Sequence, residues 1–478
     1  MRRSTLTDKE ATGGDTALRG FEYQKAVMLA WLPGWLSRDD FSAVSYELLG
    51  DIEVKYFNAS RGEVIDFYQV KDRTLKPTDL LQIVRDFKRK DEAAHFNHFY
   101  VVCSGLSPQA KPLGEDLKRI RRESPPDAPA FYPEDAPVKA DTRTAFIERV
   151  VELGGDEALG DFILSKVSIL HGHGITEANG EMYFREALTQ LFPEVQSDAN
   201  IWRDISRIYN RVQKLITSRR GKPITRSQLV EAITDKGELR FPSFDQLEIH
   251  TAHDDSAYQG SGINLAWQPF FGGTKRVYPA VEVWNGEFVQ QLVSLRSWIE
   301  ANASTRTLLM TGQRRLSVNL ALGWTFSAVG GFDLIHEHRG AYWQTNAHPN
   351  DGTPPYSFES TFERGKGDEL IVSVAIKQNI ATEVETVVRT LGFNENPKLH
   401  LNANAPLTKP DQVNLAVQTV KSEIAKTLAD TGCNEVHLFL ATPATFALSL
   451  GHRLNSLPPI QCYERRKQNV YVQSCYLS

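Results

Sequence analysis

The chain has 478 residues, of which 41% are hydrophobic and 24% charged, and carries a formal net charge of −5. That length exceeds one ordinary core and predicts two or three domains of a soluble globular protein. The acidic balance excludes a global positive field, so any nucleic-acid contact has to come from a local basic patch.

No run of 18 apolar residues is present, so no membrane span and no membrane partner are expected. The basic start MRRSTLTDKE is not followed by an apolar stretch, so no secretory leader is expected. The four cysteines, Cys103, Cys433, Cys462 and Cys475, lack C-x-x-C spacing and read as reduced, buried thiols of a cytoplasmic protein. No P-loop sequence occurs, which leaves an NTPase of that type unsupported.

In chain order, Asp15 or Thr16 can cap a first helix, RGFEYQKAVMLAWL, with Pro33 expected to stop it. Glu22 lies on this helix. The run VSYELLGDIEVKYF reads as a strand with Asp51 near its middle and Glu53 on the same face. EVIDFYQVKDR follows, rich in β-branched and aromatic residues, and reads as the next strand. Alternation puts Gln69 and Lys71 on one face of it. PTDLLQIVRDFKRKDEAAHF predicts a helix with Arg85, Lys88, Arg89 and Lys90 close together, either a solvated face or a duplex-backbone contact. HFYVVCSG is a third strand.

This helix–strand–strand–helix–strand order, with Asp51 on one strand and Q-x-K on the next, resembles the Q-x-K branch of the PD-(D/E)xK nuclease superfamily. The resemblance covers roughly residues 15–104. It implies a catalytic set of Asp51, Gln69, Lys71 and Glu22. Asp51, Gln69 and Glu22 would be the ligands of Mg²⁺ or a similar divalent cation, and double-stranded DNA the substrate. Gly50 stands where the family has Pro, and Gln69 where it usually has a second acid.

From 105 to 141 the composition turns rich in Pro, Asp and Ala (SPPDAPAFYPEDAP), as in a loop or linker. Residues 142–235 show helical periodicity and read as a small helical unit, with a second basic stretch of Arg207, Arg211, Lys214, Arg219, Arg220 and Lys222. The HGHG run from His171 to Gly174 lacks further nearby ligands and reads as incidental. Beyond about residue 255, strands and helices alternate, implying a layered α/β domain. YPAVEVW is a strand candidate, EFVQQLVSLRSWIEAN an amphipathic helix, TRTLLMTG a strand and RLSVNLALGWTFS a helix. DLIHEHRG and AYWQT read as a strand and its continuation; DELIVSVAI and VHLFLATP read as buried strands.

An internal repeat is visible. TLLM followed by TGQRRLSVNLALG parallels VHLFL followed by ATPATFALSLG: strand, tight turn, helix, terminal Leu-Gly. With RGAYWQT, LIVSVAIKQNI and the late CYE at Cys462–Glu464, this half resembles the SAVED domain, a fused pair of CARF-like (Rossmann-like) folds. The resemblance covers about residues 262–478.

Ligands of open α/β sheets bind beyond the carboxyl ends of strands, where helix N-termini favour anions. The candidate ligand set is therefore Thr311, Gly312, Gln313, Arg314 and Arg315 at one turn, and Thr442, Pro443 and Ala444 at the other, with Pro443 expected at the first helical position. Lys377 and Gln378 lie on the same edge, and Tyr342 and Trp343 can stack on bases. The expected domains are an endonuclease core at 1–125, its helical extension at 126–240 and a SAVED sensor at 250–478.

The whole resembles the CD-NTase-associated effectors of CBASS anti-phage defence. That resemblance implies a cyclic oligonucleotide activator, self-association on binding it, and metal-dependent cleavage of double-stranded DNA. The competing expectation is a non-catalytic adaptor whose degenerate nuclease domain only binds DNA or a protein partner; Gln69 in place of an acid keeps it open.

Overall fold

The computed structural model describes residues 9–94, 96–122, 140–252, 258, 260–273, 277–338 and 340–478. The chain separates into two units, Met1–Phe244 with Gln259–Ser261, and Asp245–Tyr258 with Gly262–Ser478.

The first unit begins with helix α1 (Lys9–Leu36), followed by β1 (Phe41–Tyr46), β2 (Ile52–Asn58), β3 (Gly62–Leu75), α2 (Pro77–Ala93), β4 (His98–Leu106) and α3 (Lys111–Arg122). α4 (Ala140–Glu152), α5 (Glu157–Lys166), β5 (Val167–His171), α6 (Gly180–Leu191), α7 (Pro193–Ser197), α8 (Ala199–Ser218), β6 (Pro223–Thr225) and α9 (Arg226–Ile233) complete it. Six strands form one sheet in the order β5-β4-β3-β2-β1-β6. β3, β4 and β5 run parallel and the other neighbours antiparallel. Alternation along β3 divides its side chains between two cores. Tyr68 and Val70 pack with α1, α6 and α8, while Phe67 packs with α2 through Phe87 and with Phe96 and Phe99.

Several expectations are corrected here. The helix opens at Lys9, so Asp15 and Thr16 lie inside it rather than at its cap, and Pro33 sits within its last turn without ending it at once. VSYELLGDIEVKYF is two strands around a turn, which adds β1 to the expected order. The 142–235 segment is not purely helical: it supplies β5 and β6, the two edges of the sheet. Helix α3 was not anticipated, and the Pro-rich run lies mostly in 123–139, outside the described residues.

The second unit holds two sheets. β7 (Leu247–Ala252), β8 (Ile263–Ala266), α10 (Gln268–Phe271) and α11 (Val281–Val283) lead through a π-helical turn into α12 (Val289–Asn302). β9 (Thr307–Thr311), α13 (Leu316–Thr325), β10 (Asp333–His338) and β11 (Ala341–Gln344) close the first sheet, ordered β11-β10-β9-β7-β8. The second sheet, ordered β12-β14-β13-β15-β16-β17, comprises β12 (Glu359–Glu363), β13 (Glu369–Ile376), β14 (Lys398–Ala403), β15 (Glu435–Ala441), β16 (Ile460–Lys467) and β17 (Val470–Leu477). Its helices are α14 (Ala381–Leu391), α15 (Pro410–Thr431) and α16 (Ala444–Arg453). The parallel core of each sheet reads out directly: β13 is buried on both faces, as its unbroken apolar run predicts. YPAVEVW is coil and helix, not a strand. DLIHEHRG and AYWQT fold back on each other as an antiparallel hairpin rather than continuing one strand. β7, β8 and β12 carry no signal that the sequence reading used.

Candidate functional site

In the first unit the turn between β1 and β2 presents Asp51. Glu47 adopts a left-handed backbone, φ 54°, and its N–H donates to the Asp51 carbonyl at 3.1 Å, closing the turn. Three outside groups brace it. Arg220 pairs with the Glu47 carboxylate and lies over the Phe21 ring. The Glu53 carboxylate accepts the Leu49 N–H at 2.6 Å. Lys90 of α2 donates to the Leu49 carbonyl at 3.1 Å and sits over the Phe67 ring. Gly50 lies flat against Phe67: a Cβ there would come within 2.6 Å of ring atoms. Close packing on that ring explains glycine before Asp51.

Asp51 is thus at the end of a turn, not in mid-strand, and Glu53 braces the loop instead of sharing a catalytic face. One carboxylate oxygen of Asp51, Oδ2, collects three donors from β3: the Gln69 side-chain amide, the Val70 N–H at 2.6 Å and Lys71 Nζ at 3.5 Å. Burial nevertheless pushes its pKa up, against the lowering effects of Lys71, Val70 and Gln69. Among the described residues nothing donates to the other oxygen, Oδ1. With the Gln69 amide nitrogen turned to Asp51, its carbonyl oxygen is left as an acceptor. Two oxygens and a carboxylate made uncomfortable by burial suit a hard divalent cation that keeps much of its water.

Glu22 is less closely joined. Its carboxylate pairs with Lys25 at 2.6 Å, and α1 packs on the face of β3 opposite to Gln69 and Lys71. Both Glu22 and Asp51 reach the Tyr46 hydroxyl electrostatically; burial first, then these and other charges, raise the Tyr46 pKa. Part of the second basic stretch is committed to structure: Arg220 to Glu47, Arg211 to Asp235 and to the Ala232 and Ile233 carbonyls, and Arg207 to Asp204.

In the second unit a cavity of about 540 Å³ is lined by Gly312, Gln313, Arg314, Asn319, His336, Glu337, His338 and Ala444. It lies beyond the carboxyl end of β9 and joins the turns before α13 and α16, the two repeat turns. Gly312 has φ 86°, and a Cβ there would press on the Thr251 backbone and the His250 ring, so the turn requires glycine. Arg314 donates to the Thr311 carbonyl at 2.6 Å, Thr251 Oγ1 at 3.1 Å and Asn319 Oδ1 at 3.0 Å. Its remaining nitrogen, Nη2, is buried without a hydrogen-bond partner, and among the described residues no carboxylate pairs with this guanidinium. Burial lowers its pKa to about 9, which leaves it cationic at neutral pH. Beside it His336 is buried and held neutral: burial, then Arg314 and His338, push its pKa down to about 3.

The other expected ligand residues divide. Arg315 turns away, donating to the Val277 carbonyl at 2.7 Å with its cation over Phe271 and Tyr278. Thr311 is engaged with His250 and Glu248. Thr442 and Pro443 lead into Ala444, with Pro443 at the cap of α16 rather than at its first position. Tyr342 and Trp343 on β11, and Lys377 and Gln378 after β13, lie outside the lining of this cavity. Lys377 holds a left-handed backbone, φ 72°. The N-terminus of α13 is already occupied: the buried Glu464 carboxylate, from the CYE run, accepts the Ser317 N–H at 2.7 Å. The sequence reading missed Asn319, His336, Glu337 and His338; the i, i+2 spacing of His336 and His338 near a strand end was the available signal.

Comparison with known proteins agrees with both halves. Residues 12–221 match the family described as Cap4, dsDNA endonuclease domain, and residues 292–477 the SMODS-associated and fused to various effectors sensor domain, SAVED. Two proteins named CD-NTase-associated protein 4 are similar along nearly the whole length. The one from an Acinetobacter species is 27% identical over 96% of each chain, and the one from Moraxella osloensis 26% identical over 96% of this chain and 97% of its own. Among solved structures, the Acinetobacter baumannii Cap4 SAVED/CARF-domain containing receptor with the cyclic trinucleotide 2'3'3'-cAAA superposes with a TM-score of 0.81 at 25% identity, covering 96% of this chain and 98% of that one. The Moraxella osloensis Cap4 receptor gives 0.76 at 25% identity, covering 96% and 99%. Among the described residues no helix is long and apolar enough to cross a membrane. The chain joins a Cap4 nuclease domain to a SAVED domain, the two-domain architecture of the CD-NTase-associated protein 4 relatives.

Proposed function

We propose that the chain is an anti-phage effector in which a cyclic oligonucleotide, a cyclic trinucleotide in the first instance, occupies the Arg314 cavity and switches on cleavage of double-stranded DNA at the Asp51–Gln69–Lys71 cluster. The observation that carries the sensing half is the Arg314 guanidinium, buried at the cavity wall with an unpartnered nitrogen and, among the described residues, no carboxylate. A buried cation without an anion is costly, and a ligand phosphate supplies one. Neutral His336, whose Nδ1 is buried without a hydrogen-bond partner, can then read an uncharged group of the ligand, while the Asn319 amide holds Arg314 in place. The solved relative holding a cyclic triadenylate supports this choice of ligand class.

At the nuclease cluster, Asp51 Oδ1 and the Gln69 carbonyl oxygen would hold a Mg²⁺-like ion, with Glu22 a more distant contributor. Such an ion polarises a phosphodiester and acidifies a water bound to it. Lys71, 3.5 Å from Asp51, places a positive charge where charge builds on the phosphate as the bond to the leaving oxygen lengthens. Val70 and Gln69 fix the Asp51 carboxylate so that the face left open is the one toward substrate. Lys90, tied to the same turn, stands ready for the DNA backbone. Self-association on ligand binding is the proposed link between sensing and cutting. The test is a DNA cleavage assay with Mg²⁺ and a panel of cyclic di- and trinucleotides, run beside Lys71→Ala. A chain that binds the nucleotide and never cuts would instead be the non-catalytic adaptor.

A further inference from the structure

Among the described residues two carboxylate–histidine groups bring ligand-type atoms together, one between strands β12 and β14 and helix α14, the other on strands β13 and β15, all of the second half of the SAVED unit. In one, Glu363, Glu385 and His400, the Lys398 ammonium already sits between the carboxylates at 3.3 and 3.0 Å. In the other, Glu369, Glu435 and His437, no cation is interposed among the described residues. β13 and β15 pair in parallel with Glu369 directly opposite Glu435, and His437 is two residues on from Glu435, so the three side chains share one face. They sit at the amino ends of these strands, the edge opposite to the turns at Lys377 and Thr442.

His437 is 3% exposed, and its Nε2 is buried without a hydrogen-bond partner although it points at two carboxylates. It lies 3.4 Å from Glu369 Oε2 and 3.8 Å from Glu435 Oε1, misaligned for a hydrogen bond. Bonds of about 2.0–2.1 Å to zinc put tetrahedral ligand atoms about 3.3 Å apart, close to the shorter of these separations. The surroundings are those of a ligand sphere. Nδ1 meets the Tyr463 hydroxyl at 2.8 Å, which can fix the tautomer with Nε2 bare. Asn396 orients Glu369 by donating to Oε2 at 2.9 Å, and the Tyr476 hydroxyl donates to the far oxygen of Glu435 at 3.4 Å. Both glutamates keep about a quarter to a third of their side-chain surface exposed, which leaves room for water to complete the sphere.

We propose that Glu369, Glu435 and His437 form a structural divalent-metal site, with zinc the best fit to one imidazole and two carboxylates. The metal would tie the amino ends of β13 and β15 together, away from the ligand cavity and separate from any ion at Asp51. The test is zinc titration of the full chain, stripped with EDTA and desalted, followed by calorimetry and by the visible absorption of Co²⁺ substituted for zinc. The parent and Asp51→Ala should each bind one equivalent at this site, and thermal unfolding of the SAVED unit should shift upward with zinc. Glu435→Gln keeps the side-chain shape at a partly exposed position and should weaken that binding at least 10-fold and abolish the shift. His437→Gln should remove the Co²⁺ band. Zinc binding unchanged in Glu435→Gln, lost in Asp51→Ala, or absent from the parent would overturn the proposal.

Discussion

Gly323 and Gly451 lock the two halves of the SAVED unit by the same contact made twice. A Cβ at Gly323 would run into the Leu448 carbonyl oxygen and lie 2.7 Å from the His452 nitrogen; a Cβ at Gly451 would run into the Leu320 carbonyl oxygen and lie 3.0 Å from the Trp324 nitrogen. Each clash falls three residues before the partner glycine, so α13 and α16 cross in a reciprocal arrangement. The Leu-Gly that ends each copy of the repeat is where the helices touch backbone to backbone. Gly451→Ala should cost about 1–3 kcal/mol or more through overpacking. Because the obstacle is main chain, it cannot rotate aside. Calorimetry should show the SAVED transition about 2–4 °C lower for each kcal/mol lost, with Gly323→Ala matching it. An unchanged transition in either variant would contradict this packing.

The repeat was legible because each half spells out strand, turn and helix locally, and because the buried parallel strands are continuous apolar runs. The two catalytic strands were legible for the same reason. What the sequence hid is long-range. β5 and β6 are five and three residues long, short enough to pass for helix ends, and only pairing with β4 and β1 defines them. Asp51 looked central to a strand because Leu48 and Leu49 continue the apolar run, yet both are exposed in the turn that Glu53 and Lys90 brace. Adjacent Arg314 and Arg315 looked equivalent. One faces the cavity and the other stacks on Phe271 and Tyr278, partners more than 35 residues away in sequence that a motif cannot reveal.

That difference is itself testable. Arg314→Ala should weaken cyclic trinucleotide binding roughly 10- to 100-fold, since a charged hydrogen bond contributes about 1.5–3 kcal/mol. Arg315→Ala should leave affinity within about threefold, the loss appearing instead in thermal stability through the missing stacking contacts. Calorimetry on the two variants separates them. Equal losses of affinity would mean that Arg315 reorients toward the ligand.

Acid should destabilise the SAVED unit at pH values above those at which ordinary carboxylates protonate. His336 and the buried His452 have folded pKa values pushed down to about 3 and about 4, from 6.5. The unfolded chain therefore holds more protons between those values and 6.5, and stability is complete above about 6.5 and falls as pH drops below it. Urea unfolding at pH 7 and pH 5 should show a lower midpoint at pH 5. A midpoint independent of pH across this window would mean that these imidazoles open to solvent before unfolding.

Gly50→Ala tests the support of the nuclease turn. The added methyl group must displace the Phe67 ring, which also carries Lys90, and should shift Asp51 away from its three donors. Cleavage should fall at least about 10-fold, an ordinary consequence of misplacing a catalytic group by a fraction of an ångström. Cyclic trinucleotide affinity should not change. Full cleavage activity in this variant would show that Asp51 is positioned by something other than the turn.

The most direct test of the whole account is cleavage of plasmid DNA by the parent chain and by Lys71→Ala, each with and without Mg²⁺ and a cyclic triadenylate. Degradation is expected only when the parent has both additions, with loss of activity in EDTA and a rate for Lys71→Ala lower by roughly 10²–10³-fold or more at unchanged nucleotide affinity. Cutting by Lys71→Ala at the parent rate, or cutting by the parent that ignores both metal and nucleotide, would contradict it.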